Sequence, residues 1–211
     1  MFAKVLSAAT MGIDAYPVEV EVDVSDKGLP RLDIVGLPDA AVKESKERVR
    51  TAIDNSDFNF PIERITMNLA PADTKKEGPA FDLPLAVGTL VTQGVLRPVA
   101  ERNFVFIGEL ALDGRLRPVS GILPISLMIR NHPDLKGIVL PKDNADEASL
   151  VDGIDIYPVE TLDQVVRFLR GDIDIPPHPN TGFDKLEEGG APVADFSEVK
   201  GQEHAKRALE I

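Results

Sequence analysis

The sequence predicts an α+β domain over residues 1–171, and three observations predict it. Val18, Val20, Val22 and Val24 alternate with Glu19, Glu21 and Asp23, the period-two pattern of a strand with one core face and one wet face. From Leu83 to Leu96 the residues are apolar nearly all round, as in a helix enclosed by its own domain. From Gly137 to Leu169, short apolar strand runs alternate with helical patterns, an order that implies parallel pairing with right-handed crossovers.

Taken in order, residues 2–9 read as a short apolar strand. The Val18–Val24 strand follows, Lys27-Gly28 turns the chain, and Leu32 and Ile34 continue the sheet, so the first three segments predict an antiparallel meander. Gly36-Leu-Pro-Asp39 closes that strand and supplies Asp39 as the N-cap of a helix, whose Ala41, Val42, Val49, Ala52 and Ile53 form an apolar stripe. Glu44 and Arg48 make a favourable i,i+4 pair on its other faces. Lys43, Lys46 and Arg50 also lie there. The plain reading, a solvated helix face, outweighs the sharper one, an anion- or DNA-contacting surface.

Ile65, Met67 and Leu69 then form the alternating pattern of a half-buried strand that ends in Pro71-Ala-Asp-Thr-Lys-Lys-Glu-Gly-Pro. Gly78-Pro79 breaks the chain, Asp82 stands where a carboxylate caps the first amides of a helix, and Pro84 falls in the first turn, where no N–H is missed. Phe104–Ile107 is a buried strand run continued through Leu110 and Leu112, and Asp113-Gly114 predicts a type I′ hairpin returning through Leu116 and Val119. Ser120-Gly121 opens a second apolar helix with Pro124 in its first turn. Gly137–Pro141 and Ile154–Val159 are strands, Asn144 caps a modest helix to about Val151, and Thr161-Leu-Asp-Gln164 is a capping box for a final docking helix. Residues 172–195, rich in Pro and Gly, read as an extended linker, and a helical start follows in residues 196–211.

At 211 residues the chain buries roughly 70% of its unfolded surface without staples. It has no Cys, which excludes disulfides, thiolate metal sites and Cys nucleophiles, and His132, His178 and His204 are too far apart in sequence to suggest a metal site. The N-terminus lacks a signal peptide's basic region, and no segment approaches the roughly 20 apolar residues of a bilayer span, so the reading is a soluble, cytoplasmic protein without membrane contact. The net charge of −12 argues against a globally basic nucleic-acid binder. Residues 172–211 carry 9 acidic and 4 basic side chains, which leaves residues 1–171 at about −7 with room for local basic patches. Neither a Gly-x-x-x-x-Gly-Lys-Ser/Thr phosphate loop nor a Gly-x-Ser-x-Gly elbow occurs. Glu77 and Asp82 read as turn and cap rather than as an acid–base pair.

Phe196-Ser-Glu-Val-Lys-Gly-Gln-Glu-His-Ala-Lys-Arg-Ala-Leu-Glu-Ile211 resembles the segment that opens the AAA+ module of Mg-chelatase-like ATPases. Gly36–Arg50, Asn68–Leu85 and Gly108–Val119 look like the ComM/YifB family of such ATPases, so the resemblance covers essentially the whole chain. It implies a Lon-like N-terminal domain of the ribosomal protein S5 domain 2-like fold in residues 1–171, a linker in 172–195, and the start of an AAA+ ATPase in 196–211. It further implies a full-length homo-hexamer that uses ATP and Mg2+ to remodel DNA by branch migration, with no cofactor in these residues.

Lon-type peptidases place a Ser nucleophile in Asp-Gly-Pro-Ser-Ala-Gly and a Lys base in Gly-Gly-Leu-Lys. Matched residue by residue, Ala80 of Glu77-Gly-Pro-Ala80 takes the Ser position and Leu123 of Ser120-Gly-Ile-Leu123 takes the Lys position. A methyl group cannot attack a carbonyl and an isobutyl group cannot take a proton, so the resemblance implies a vestigial site. The expected function is a non-catalytic accessory domain of an AAA+ motor. The alternative is a peptidase or amidase that pairs Thr74 or Ser120 with Lys75 or Lys76. Lys75 and Lys76, placed beside a helix N-terminus, are also candidates for phosphate or DNA contact, although solubilising an exposed turn is the simpler account. Magnesium insertion into a porphyrin is implied only by the superfamily's name.

Overall fold

The structure, a computed structural model, describes residues 1–99, 103–182 and 199–209. The first sheet has four strands: β1 (Phe2–Met11), β2 (Asp14–Ser25), β3 (Arg31–Val35) and β4 (Arg64–Ala70), in the order β1-β2-β4-β3. β1 and β2 form an antiparallel hairpin, β2 pairs antiparallel with β4, and β3 pairs parallel with β4. The expected meander therefore stops after two strands. A 16-residue helix, α1 (Ala40–Asn55), stands between β3 and β4, and a helical crossover of that length returns the chain parallel to its starting strand.

On one side of this sheet α1 and α2 (Asp82–Thr92) bury Val5, Val20, Val22, Met67 and Leu69 together with Val49, Ile53, Leu83, Leu85 and Leu90. α2 lies so close to the hairpin that a Cβ on Gly88 would sit 2.7 Å from Val22 Cγ2 and 3.5 Å from Val5 Cγ2. The helix is shorter than its apolar run predicts. Gly94 takes φ +70° and donates to Val91 O at 3.0 Å, which closes the helix two residues after Thr92.

The second half carries a three-stranded parallel sheet of β5 (Phe104–Phe106), β8 (Gly137–Pro141) and β9 (Asp155–Val159), in the order β5-β8-β9. A small hairpin joins β6 (Glu109–Leu110) to β7 (Leu116–Arg117). Its turn is not type I′, because only Gly114 has positive φ, at +82°. Gly114 N donates to Ala111 O at 3.0 Å and Ala111 N to Arg115 O at 2.8 Å, so a three-residue loop with a left-handed glycine does the work. α3 (Ile122–Asn131) and the short α4 (Ala145–Ala148) pack a second apolar cluster against β8, and α5 (Leu162–Arg170) docks Leu162, Val165 and Val166 into the first.

The caps divide in an instructive way. Asp39 accepts from Val42 N at 2.8 Å, as expected. Thr161 accepts from Gln164 N at 3.1 Å, but Gln164 Oε1 reaches one residue further back than a capping box, to Glu160 N at 2.7 Å. Asn144 does not cap α4: its amide binds the N–H and C=O of Val119, each at 2.9 Å.

The first part of the expected linker is a strap on the domain. Ile175 is buried, His178 N donates to Ile156 O at 2.7 Å, and Thr181 N donates to Ser149 O at 2.8 Å. The Thr181 and Ser149 hydroxyls meet at 2.8 Å. Residues 183–198, which contain the rest of the linker, and residues 210 and 211 lie outside the described residues. α6 (Glu203–Leu209) is the helix expected near the end. Among the described residues no helix is long and apolar enough to cross a membrane.

Gly88→Ala sets two effects against each other. The helix gains about 1 kcal/mol of propensity, while forcing a methyl onto Val22 costs about 1–3 kcal/mol. The clash wins, and a lowered thermal unfolding midpoint with unchanged far-ultraviolet circular dichroism is the expected result.

Candidate functional site

The two loops that precede α1 and α2 are tied into one unit. Gly36 has φ +96°, and a Cβ there would lie 2.1 Å from Leu69 O, so only glycine lets the chain pass β4 at this point. Leu37 O then accepts from Lys76 N at 3.1 Å, and Lys76 O accepts from Asp39 N at 3.0 Å. Asp39 uses its second carboxylate oxygen to receive Gly78 N at 3.2 Å. Leu37 itself holds φ +56° with its side chain half exposed, a conformation a leucine adopts only when its neighbours fix it on both sides.

Behind these loops lies a buried ion pair. Arg48 Nε donates to Asp82 Oδ2 at 2.7 Å and Nη2 to Oδ1 at 3.1 Å, a bidentate fork. Leu110 N adds a third bond to Oδ2 at 3.1 Å. Arg48 Nη2 also reaches Ser45 Oγ at 3.1 Å and Ala41 O at 3.2 Å. Asp82 is therefore the first residue of α2 but not its cap: its carboxylate joins α1, α2 and β6. Burial pushes its carboxyl up, against the pull of Arg48, Ser45 and Leu110 N, while the bond to Asp82 raises Arg48 despite that residue's own burial.

The expected site residues separate into distinct settings. Ala80 sits in the tight turn Pro79–Phe81, its O accepting from Gly108 N at 2.9 Å. Leu123 opens α3 and donates its N–H to Glu147 Oε1 at 2.9 Å. Both side chains are half-buried against the same apolar cluster, which contains Ala8, Ile107, Ile122 and Ile125. Each of the two positions carries hydrocarbon and packs on that cluster.

Thr74 donates to Asp73 Oδ1 at 3.2 Å, and Lys75 Nζ pairs with Glu77 Oε1 at 2.7 Å in solvent. Lys76 is fully buried, with its ammonium on the carbonyls of Pro71 and Thr74, and burial lowers its pKa. It does not solubilise the turn and is not offered to an outside anion. The first turn of α2 is buried as well, and Leu83 N is taken by Gly108 O at 3.0 Å. The phosphate cradle expected beside Lys75 and Lys76 is filled by the protein itself.

On α1, Lys43 is exposed, Lys46 Nζ caps Leu32 O at 2.7 Å, and the Arg50 guanidinium lies 5.5 Å from the Phe60 ring centroid. Ser120 is exposed. Among the described residues no Lys ammonium is hydrogen-bonded to a hydroxyl, and no group of three or more His, Asp or Glu side chains is placed to hold a metal ion. Sequence reasoning missed the Arg48–Asp82 pair. A lone Asp on an all-apolar helix was the available signal, since such a carboxylate needs a cation.

Comparison with known proteins now adds kinship to this geometry. A family model described as subunit ChlI of Mg-chelatase matches residues 20–144. Competence protein ComM of Haemophilus influenzae is 42% identical over 210 residues, covering 99% of this chain and 41% of its own. YifB of Escherichia coli is 41% identical over 204 residues, 96% of this chain and 39% of its own. Lon protease of Methanosarcina barkeri is 28% identical over 160 residues, 71% of this chain and 20% of its own, and with the mixed sheets and helices this marks the fold as Lon-like. The chain spans about two fifths of the length of the first two relatives.

Replacing Arg48 with Met strands the Asp82 carboxylate and lowers stability by about 3–5 kcal/mol near neutral pH. A carboxyl whose pKa is raised by folding favours the fold while protonated and loses that contribution as pH rises through its folded value. The deficit of Arg48→Met is therefore smaller at about pH 4 than at about pH 7, and Asp82→Leu added to it restores part of the loss. Urea titrations of the single and double variants at both pH values check this.

Proposed function

This chain belongs to the family of subunit ChlI of Mg-chelatase, and from that membership we infer that it is a non-catalytic accessory domain of an AAA+ ATPase that remodels DNA. One observation supports the non-catalytic part: Ala80 and Leu123, matched in sequence to the Lon-type serine and lysine, are hydrocarbon and both pack on one apolar cluster. Neither a nucleophile nor a base is available at that place, and the substitute pairs are engaged elsewhere. Lys75 is bound to Glu77 and Lys76 to backbone carbonyls.

The role left to a rigid shell of this kind is to assemble, guide or regulate a motor. The name of the Haemophilus influenzae relative, a competence protein, supports a role with DNA. ATP and Mg2+ belong to the ATPase part of a longer protein, which we propose works as a cytoplasmic homo-hexamer that drives branch migration.

The test uses a longer protein that carries this chain ahead of its ATPase module. Removal of residues 1–171 lowers ATP-driven processing of branched DNA while the ATPase module still folds and hydrolyses ATP. Unchanged DNA processing after the deletion overturns guidance by this domain. Turnover of a fluorogenic peptide by the intact protein, lost on Lys75→Ala, overturns the non-catalytic reading.

A further inference from the structure

The geometry points to a phosphate-binding cleft at the C-terminal end of α2, apart from the site residues considered above. Arg97, just beyond α2, and Arg170, at the end of α5, both line a cleft of about 630 Å³ floored by Val95, Val99 and Leu169. Among the described residues no carboxylate lines it. Five other arginines of this chain, whose net charge is −12, do find acids. Arg31, Arg48, Arg115, Arg117 and Arg167 each contact an Asp or Glu. Arg97 and Arg170 have no such contact among the described residues.

The structural demand here is small. Arg170 Nε donates to Val95 O at 3.0 Å, which serves a carbonyl just past the end of α2. Among the described residues its two terminal nitrogens and the Arg97 guanidinium make no hydrogen bond or ion pair. Two guanidinium forks over an apolar floor match the oxygens of a phosphodiester better than a single ammonium does, since each fork offers paired donors. Asp172 and Asp174, close to Arg170 in sequence, are exposed on the strap and do not line the cleft. The cleft is too large for one phosphate and suits a backbone running through it. Its ligand is a nucleic-acid phosphate backbone, a deepening of the DNA reading that does not depend on the ATPase.

The experiment measures binding of a fluorescein-labelled oligonucleotide, single-stranded and duplex, to this chain by anisotropy across a salt series. Arg97→Gln/Arg170→Gln is expected to weaken binding by at least about tenfold and to reduce the log–log salt slope by about 2. Arg97→Glu alone, at a side chain that bonds to nothing in the fold, is expected to weaken it with an unchanged melting temperature. Lys43→Gln/Lys46→Gln/Arg50→Gln, on the opposite candidate surface, is expected to leave binding unaltered. The inference is overturned if the chain binds neither oligonucleotide, or if only the α1 variant loses binding. It is also overturned if millimolar ATP or inorganic phosphate binds at the two arginines and oligonucleotides do not. A DNA-processing defect on deletion of residues 1–171 that survives loss of the cleft would remove this site and leave the accessory role standing.

Discussion

Everything in the first half of the molecule is hung on the Asp82 carboxylate. Buried without exposure at the start of an apolar helix, it is tolerable only because Arg48 forks onto it from α1 and Leu110 N binds it from β6. A buried ion pair of this sort adds little net stability compared with hydrocarbon of the same volume, but it admits few geometries. It fixes where α2 begins, and so where the Pro79–Phe81 turn lies relative to α1 and to the β6–β7 hairpin. The crossed loops at Gly36–Asp39 and Lys76–Gly78 add a second clasp over the same corner.

That corner is a well-made frame around a chemically silent place. The likeness to Lon protease is one of fold, and Ala80 and Leu123, both half-buried, present hydrocarbon to one cluster. Lys76 shows the same inward turn: an amine in a polar loop has been drawn inside to satisfy carbonyls that its own loop would leave stranded.

Much of the architecture was legible from local pattern, and the failures share one cause. The strands β2 and β4, the helices α1, α3 and α5 and the Asp39 and Thr161 caps all follow from periodicity and end signals that act over a few residues. What did not follow was pairing over distance. That β3 sits beside β4 rather than β2 depends on the length of α1, and Asp82 binding Arg48 instead of its own helix depends on a partner 34 residues away. Asn144 was misassigned for the same reason, because Val119 offered both halves of an amide match. Of the candidate site residues, Ala80 and Leu123 were singled out only by family resemblance. The burial of Lys76 had no local sign at all, and neither did the placing of Arg97 and Arg170 on one cleft.

The strap changes the geometry of whatever the domain carries. With Thr181 and Gly182 fastened to Ser149, residues 172–182 are held on the domain instead of adding to the reach of the chain toward α6. Eleven anchored residues remove roughly 40 Å from its greatest contour length. A shorter reach raises the effective concentration at which neighbouring modules meet, and any pull falls first on Ser149, at the end of α4, instead of on the end of α5.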